Sequence, residues 1–228
     1  MQFQSFATLI FNGQIIEALA LLIAVLISII LHELAHGYVA LLNGDKTAKY
    51  SGRLTLNPIK HLDIFGFVML LLVGFGWAKP VPVNSLNFRH FRRGLFFVAI
   101  AGICANLIVA FISFPLLVIV YKSNINQYLY DFLINLFGGL FVINLGLIVF
   151  NLLPVFPLDG FRVVESLTPH NNPYTKFMYQ YGQYILIAIF VLLFIISTNV
   201  IGVVAGYIGW PIQKFWDWIC KWNLIFRF

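Results

Sequence analysis

The sequence predicts an α-helical polytopic membrane protein of about four to six transmembrane helices, with a small membrane-associated β-sheet or hairpin after the first helix. Three observations predict it. Hydrophobic residues make up 61% of the 228 and charged residues only 10%, with a mean hydropathy of +0.92. Soluble domains carry far more charge. Apolar runs of about 20 residues or more recur along the chain, each long enough to cross roughly 30 Å of hydrocarbon. Between the first two lies a stretch punctuated by Pro, Gly and alternating residues, which reads as strands and turns. The chain is therefore taken as one integral membrane domain over 1–228, with a core over about 14–165 and a C-terminal helix and interfacial tail over 183–228.

Four spans follow in order. The first runs from about Gln14 to Leu42 and the second from Gly94 to Tyr121. The third is Phe132 to Leu153 and the fourth Gln183 to Tyr207. Phe65 to Trp77 is apolar but too short to span, so a re-entrant or hairpin element is expected there. Ser51 to Pro58 alternates in character and ends in a turn signal. Lys79-Pro80-Val81-Pro82-Val83-Asn84 carries prolines that suit only a sheet edge. The segment from Trp210 is rich in Trp and Phe and reads as an interfacial tail.

Charge orients the spans. Lys46, Lys49, Arg53, Lys60, Lys79, Arg89, Arg92 and Arg93 all fall between the first and second spans, so that region is expected on the cytoplasmic side. The net charge of +6 and pI near 9.4 then reflect contact with anionic lipid, and nucleic acid is not an expected partner. Lys214, Lys221 and Arg227 oppose this orientation at the tail, whose side stays open. The N-terminus has no Lys or Arg before Lys46, so no cleavable signal peptide is expected. Cys104 and Cys220 are read as free thiols.

Within the first span lies His32-Glu33-Leu34-Ala35-His36. Two imidazoles and a carboxylate in one apolar turn are costly unless they act. Residues four apart share a helix face, so His32 and His36 can bind one metal ion. Glu33 stands beside them, placed to take a proton from a water on that metal. The H-E-x-x-H pattern is a metalloprotease signature. With five His and three Glu in the chain, its chance occurrence is on the order of one in a thousand. A catalytic zinc takes three protein ligands and an open position. Asp159 is the best third candidate. It follows Asn151-Leu152-Leu153-Pro154-Val155-Phe156-Pro157-Leu158, where two prolines break the helix and Gly160 permits a sharp turn. A capping Asp is the competing reading there. His61, His90 and His170 fall in polar loops and are expected to be solvated. Glu17 is expected at the interface, and Asn144 between helices.

The His-Glu-Leu-Ala-His helix followed far downstream by Asn-Leu-Leu-Pro-Val-Phe-Pro-Leu-Asp-Gly resembles the site-2 protease family of intramembrane zinc metalloproteases. Gly52 to Pro58 through His61 and Asp63, and Gly76 to Asn84, resemble the strand-and-hairpin region of its compact bacterial and archaeal members. The resemblance covers roughly Leu22 to Arg162. It implies one Zn²⁺ per chain held by His32, His36 and Asp159, with Glu33 activating water. It implies that Asn151 stabilises an oxyanion or positions substrate, and that Asn106 matches the asparagine closing the family's small-residue segment Ala101 to Asn106. Ile103 and Ile64 depart from the Pro frequent in the family. No inserted PDZ or appended CBS domain is expected, which makes this a core-only member. The implied activity is zinc-dependent endoproteolysis of a transmembrane or signal-peptide-like substrate in a bacterial cell membrane, with the site toward the cytoplasm. Two alternatives stay open. One is a metal or ion transporter, against which stands the scarcity of other polar positions along the spans. The other is a non-catalytic relative that binds membrane segments, against which stands Glu33.

Overall fold

The computed structural model describes residues 6–74, 76–169, 172–196 and 200–222. Three long apolar helices form its centre: α2 (Ile15–Leu42), α5 (Phe91–Lys122) and α6 (Gln127–Asn151). Each is long and apolar enough to cross a membrane, and each matches an expected span to within a few residues. Around them lie α1 (Phe6–Phe11), α3 (Thr47–Tyr50), α4 (Ile64–Val73), α7 (Asp159–Leu167), α8 (Pro173–Ile196) and α9 (Val200–Cys220). The apolar spans, which leave large side chains such as Leu19, Phe97, Ile108 and Ile112 exposed, define an integral membrane protein.

The three central helices pack on one another pairwise. The short connection 123–126 makes α5 and α6 antiparallel neighbours, and Asn126 caps α6 by accepting from the Tyr128 N–H at 2.9 Å. Lipid offers no hydrophobic drive between helices, so small residues and polar pairs hold them. Asn144 is fully buried on α6 and donates to Ser28 Oγ of α2 at 2.8 Å. Beside it a Cβ on Gly139 would lie 2.8 Å from Leu21 Cδ2 and 3.2 Å from Ala24 Cβ. A second cluster joins Phe114 and Val118 of α5 to Phe141 and Leu145 of α6 and to Ala205 and Ile212 of α9.

Among the described residues the expected sheet is absent. The only β-pairing among them is an isolated antiparallel bridge between Leu62 and Ala78. Stronger local signals win. Asp63 accepts from the Gly66 N–H at 2.9 Å and starts α4, while Gly74, at φ +81°, ends it in the left-handed region. The chain does reverse there and returns against α4. A Cβ on Gly66 would lie 2.1 Å from the Trp77 carbonyl oxygen, and one on Gly76 2.1 Å from that of Gly66. Beyond Ala78, Pro80 and Pro82 have no N–H to extend a ladder, and Arg53 takes the Lys79 and Pro80 carbonyls instead.

Three further expectations change. The apolar run Gln183–Tyr207 straddles α8 and α9, because Pro173 at the first helical position starts α8 earlier. Residues 210–220, read as an interfacial tail, continue α9 across Pro211 and dock on α5, where the Trp216 indole donates to the Phe111 carbonyl at 3.0 Å. His61 is not solvated. It is 2% exposed and donates from Nε2 to the Thr55 carbonyl at 2.8 Å, since the reversal after α4 folds over it. His90 is exposed at the start of α5, and His170 lies outside the described residues.

Candidate metal centre

Helix periodicity places His32 and His36 on the same face of α2. Both are buried, at 8% and 9% exposure. Their Nε2 atoms lie 3.0 Å apart. Asp159 Oδ2 lies 3.3 Å from the first and 3.2 Å from the second. These three donors form one cluster that could hold a metal ion. A tetrahedral zinc with bonds of about 2.0–2.1 Å needs donor atoms roughly 3.3 Å apart, so the spacing fits.

The hydrogen bonds fix which atoms are free. His36 Nδ1 faces the Val98 carbonyl at 2.7 Å. A carbonyl only accepts, so Nδ1 carries the proton and Nε2 presents a lone pair. Asn106, fully buried on α5, meets His32 Nδ1 at 3.0 Å through its amide nitrogen, leaving Oδ1 without a partner. Amide oxygen and nitrogen exchange by a simple flip. The flipped amide accepts from His32 Nδ1–H and frees the second Nε2 for a metal. Asp159 Oδ2 is buried and has no hydrogen bond. Three lone-pair atoms at such range repel unless a cation sits among them. Burial alone would raise the Asp159 carboxyl, but without a metal the cation among these atoms is a proton, and the protonated His36 and His32 imidazoles outweigh burial and hold the carboxyl down at about 2. It is therefore an anion at neutral pH.

Asp159 reaches this place from the first turn of α7, where the helix dipole favours a carboxylate. Gly160 serves close approach, since a Cβ there would lie 2.3 Å from the Leu152 carbonyl oxygen. Gly102 of α5 does the same against the histidines. Its Cβ would lie 2.4 Å from His32 Cε1 and 2.5 Å from His36 Nε2.

Glu33 points to the loop segment after α4, where its Oε2 accepts the Val81 N–H at 2.7 Å. The Arg53 guanidinium holds that segment one and two residues earlier, donating to the Pro80 carbonyl at 3.2 Å and the Lys79 carbonyl at 2.6 Å. Asn151 ends α6 with its amide turned back to the Leu147 carbonyl at 3.0 Å. A cavity of about 320 Å³ brings His32, Glu33, His36, Asn151, Asp159 and Arg162 together. Asn106 lies behind the histidines, in contact with His32 and away from that space. Sequence reasoning singled out neither Val98, Val81 nor Arg53 for the site. They act through backbone carbonyls, an N–H and a loop contact, which leave no residue-type signal. Gly102 was visible only as part of a small-residue segment.

Fold and site together define an integral membrane protein with a two-histidine, one-aspartate candidate metal centre inside its helical bundle. The chain belongs to peptidase family M50, whose sequence model matches residues 20–132 and 118–196. It is 48% identical over 151 residues to the Bacillus subtilis protein named "Putative zinc metalloprotease YwhC", covering 65% of this chain and 69% of that one. It is 29% identical over 198 residues to "Zinc metalloprotease MJ0392" of Methanocaldococcus jannaschii, covering 84% of this chain and 47% of that protein. No solved structure matches.

Proposed function

We propose that this protein is a zinc-dependent intramembrane endopeptidase that hydrolyses peptide bonds in or near transmembrane segments or signal-peptide-like sequences. The observation that carries the reading is the convergence of two imidazole nitrogens and an unpartnered carboxylate oxygen within 3.3 Å. It occurs in a cavity that also holds Glu33. Membership of a peptidase family whose members bear zinc metalloprotease names supports it. Zinc, when bound by His32, His36 and Asp159, supplies Lewis-acid polarisation of the scissile carbonyl and a water acidified toward a pKa of about 7.

Glu33 accepts the proton of the attacking water and returns it to the leaving amine. Its hydrogen bond from Val81 orients the carboxylate toward the cavity. Asn151, at the cavity wall, turns its amide from the Leu147 carbonyl to the substrate carbonyl or its oxyanion. Asn106 fixes the His32 ring by bonding Nδ1 and so acts as a positioning residue. A helical substrate must unwind to expose a peptide bond, and the segment 79–84, whose Pro80, Val81 and Val83 line the cavity, is where the unwound strand would lie. The basic residues of the connector between α2 and α5 support a site toward the cytoplasmic face of a bacterial cell membrane, in a role suited to regulated intramembrane proteolysis.

The test is cleavage of a panel of single-span substrates by the purified protein in detergent, with wild type and Glu33→Gln compared at equal zinc occupancy. Wild type should cleave and the variant should lose at least about a hundred-fold in rate. Full zinc-dependent cleavage by Glu33→Gln would remove the base assignment.

A further inference from the structure

The connector between α2 and α5 carries a second polar concavity, apart from the metal donors. It has a volume of about 360 Å³ and is lined by Ser51, Arg53, Lys60 and Lys79, with no carboxylate in its wall. Lys60 and Lys79 are exposed, but Arg53 is only 7% exposed. A guanidinium cannot shed its charge. When buried this deeply it normally has a carboxylate partner. Among the described residues no carboxylate comes within ion-pair range of Arg53. Its two hydrogen bonds both leave Nη2, and both go to neutral carbonyls. Its Nε is buried with no acceptor. Two ammonium groups at the same concavity add like charge to a cation that already lacks a counter-ion.

We propose that this concavity binds a phosphate group, carried by an anionic lipid headgroup or free in solution. The donor set suits a multiply charged tetrahedral oxyanion better than a carboxylate. Arg53 with its planar guanidinium, two lysines with flexible stems and the hydroxyl-bearing Ser51 line one volume. The setting suits it too, because the connector joins two helices long and apolar enough to cross a membrane, which puts lipid headgroups within its reach. Arg53 would then hold the anion on one side and the carbonyls of residues 79 and 80 on the other.

The experiment uses the full chain in neutral detergent, titrated with short-chain phosphatidylglycerol and, in parallel, with inorganic phosphate, and reads the thermal midpoint. Wild type is compared with two variants of equal charge change, Lys60→Gln/Lys79→Gln and Lys46→Gln/Lys49→Gln. A saturable rise is expected for wild type and for the 46/49 pair. The 60/79 pair should need about thirty-fold more ligand, roughly five-fold per lysine. A response to phosphatidylglycerol alone assigns the site to a lipid headgroup, and a response to inorganic phosphate as well assigns it to phosphate itself. Equal weakening in both double variants, or no saturable response to either probe, overturns the proposal.

Discussion

Gly102→Ala tests the metal centre with one methyl group. In a helix interior the change from glycine to alanine normally stabilises by roughly 0.5–1 kcal/mol. Here the new Cβ would lie 2.4 Å from His32 Cε1, 2.5 Å from His36 Nε2 and 2.7 Å from His32 Nδ1. Ordinary contact begins at 3.4 Å, so at least one imidazole must retreat by about 1 Å. Metal bonds tolerate about 0.2 Å, which puts that retreat well outside ligation geometry. Retreat is also resisted. His36 is tied to the Val98 carbonyl at 2.7 Å and His32 to Asn106 at 3.0 Å. The steric term therefore outweighs the helix-propensity gain at the site, whatever the fold itself gains. Disturbance of outer-shell support costs about 10- to 100-fold in metal affinity, and the direct clash on both ligands should reach the upper end. The assay is zinc retention against a graded chelator series, alongside a thermal melt to confirm folding. A folded Gly102→Ala protein holding zinc with wild-type affinity would refute the placement of α5 against the histidines.

Three other outcomes follow from the same geometry. Asp159→Ala should bind zinc at least about 100-fold more weakly while keeping its helical content, because it removes one of three donors; metal content after dialysis checks this. Asn106→Leu should weaken zinc about ten-fold or more by releasing His32 Nδ1, and Asn106→Asp should restore much of it, both read in the same chelator series. Asp45 is fully buried and accepts from the Asn84 N–H at 2.7 Å, the Asn87 amide at 2.8 Å and Thr47. Burial pushes its carboxyl up, but the bonds from Asn87, Thr47 and Asn84 outweigh that and lower it below 3.8. A lowered carboxyl stabilises the fold above the unfolded value and loses that contribution as pH falls through the folded one. Asp45→Asn should thus melt lower than wild type near neutral pH, with the gap closing below about pH 4; a gap constant down to pH 3 would count against it.

The span pattern was legible because it is local. Lipid demands about 20 apolar residues in a row, and α2, α5 and α6 end within a few residues of where hydropathy ends them. The His32–His36 pair was legible for the same reason, since a four-residue spacing puts both on one face of a single helix. The connector was misread where two local signals competed. Pro80 and Pro82 suggested an edge strand, yet Asp63 and Gly74 bounded a helix, and the returning chain found side-chain partners where a sheet would supply a ladder. His61 looked solvated because its neighbours are polar, while its burial depends on what folds over it.

What the sequence by itself determined was therefore composition and period: a helical membrane protein, its three central spans, and a histidine pair with a glutamate beside it. Only the tertiary structure decided that Asp159 Oδ2 comes within 3.3 Å of both imidazoles. It also decided that Val98 sets the His36 tautomer, that Val81 holds Glu33 and that Gly102 leaves room for the rings. Those contacts join residues 48 and 62 positions apart, as in Glu33–Val81 and His36–Val98. Several run through backbone atoms common to every residue. Helix period carries no information across such separations, so packing of α5 and α7 against α2 had to supply it.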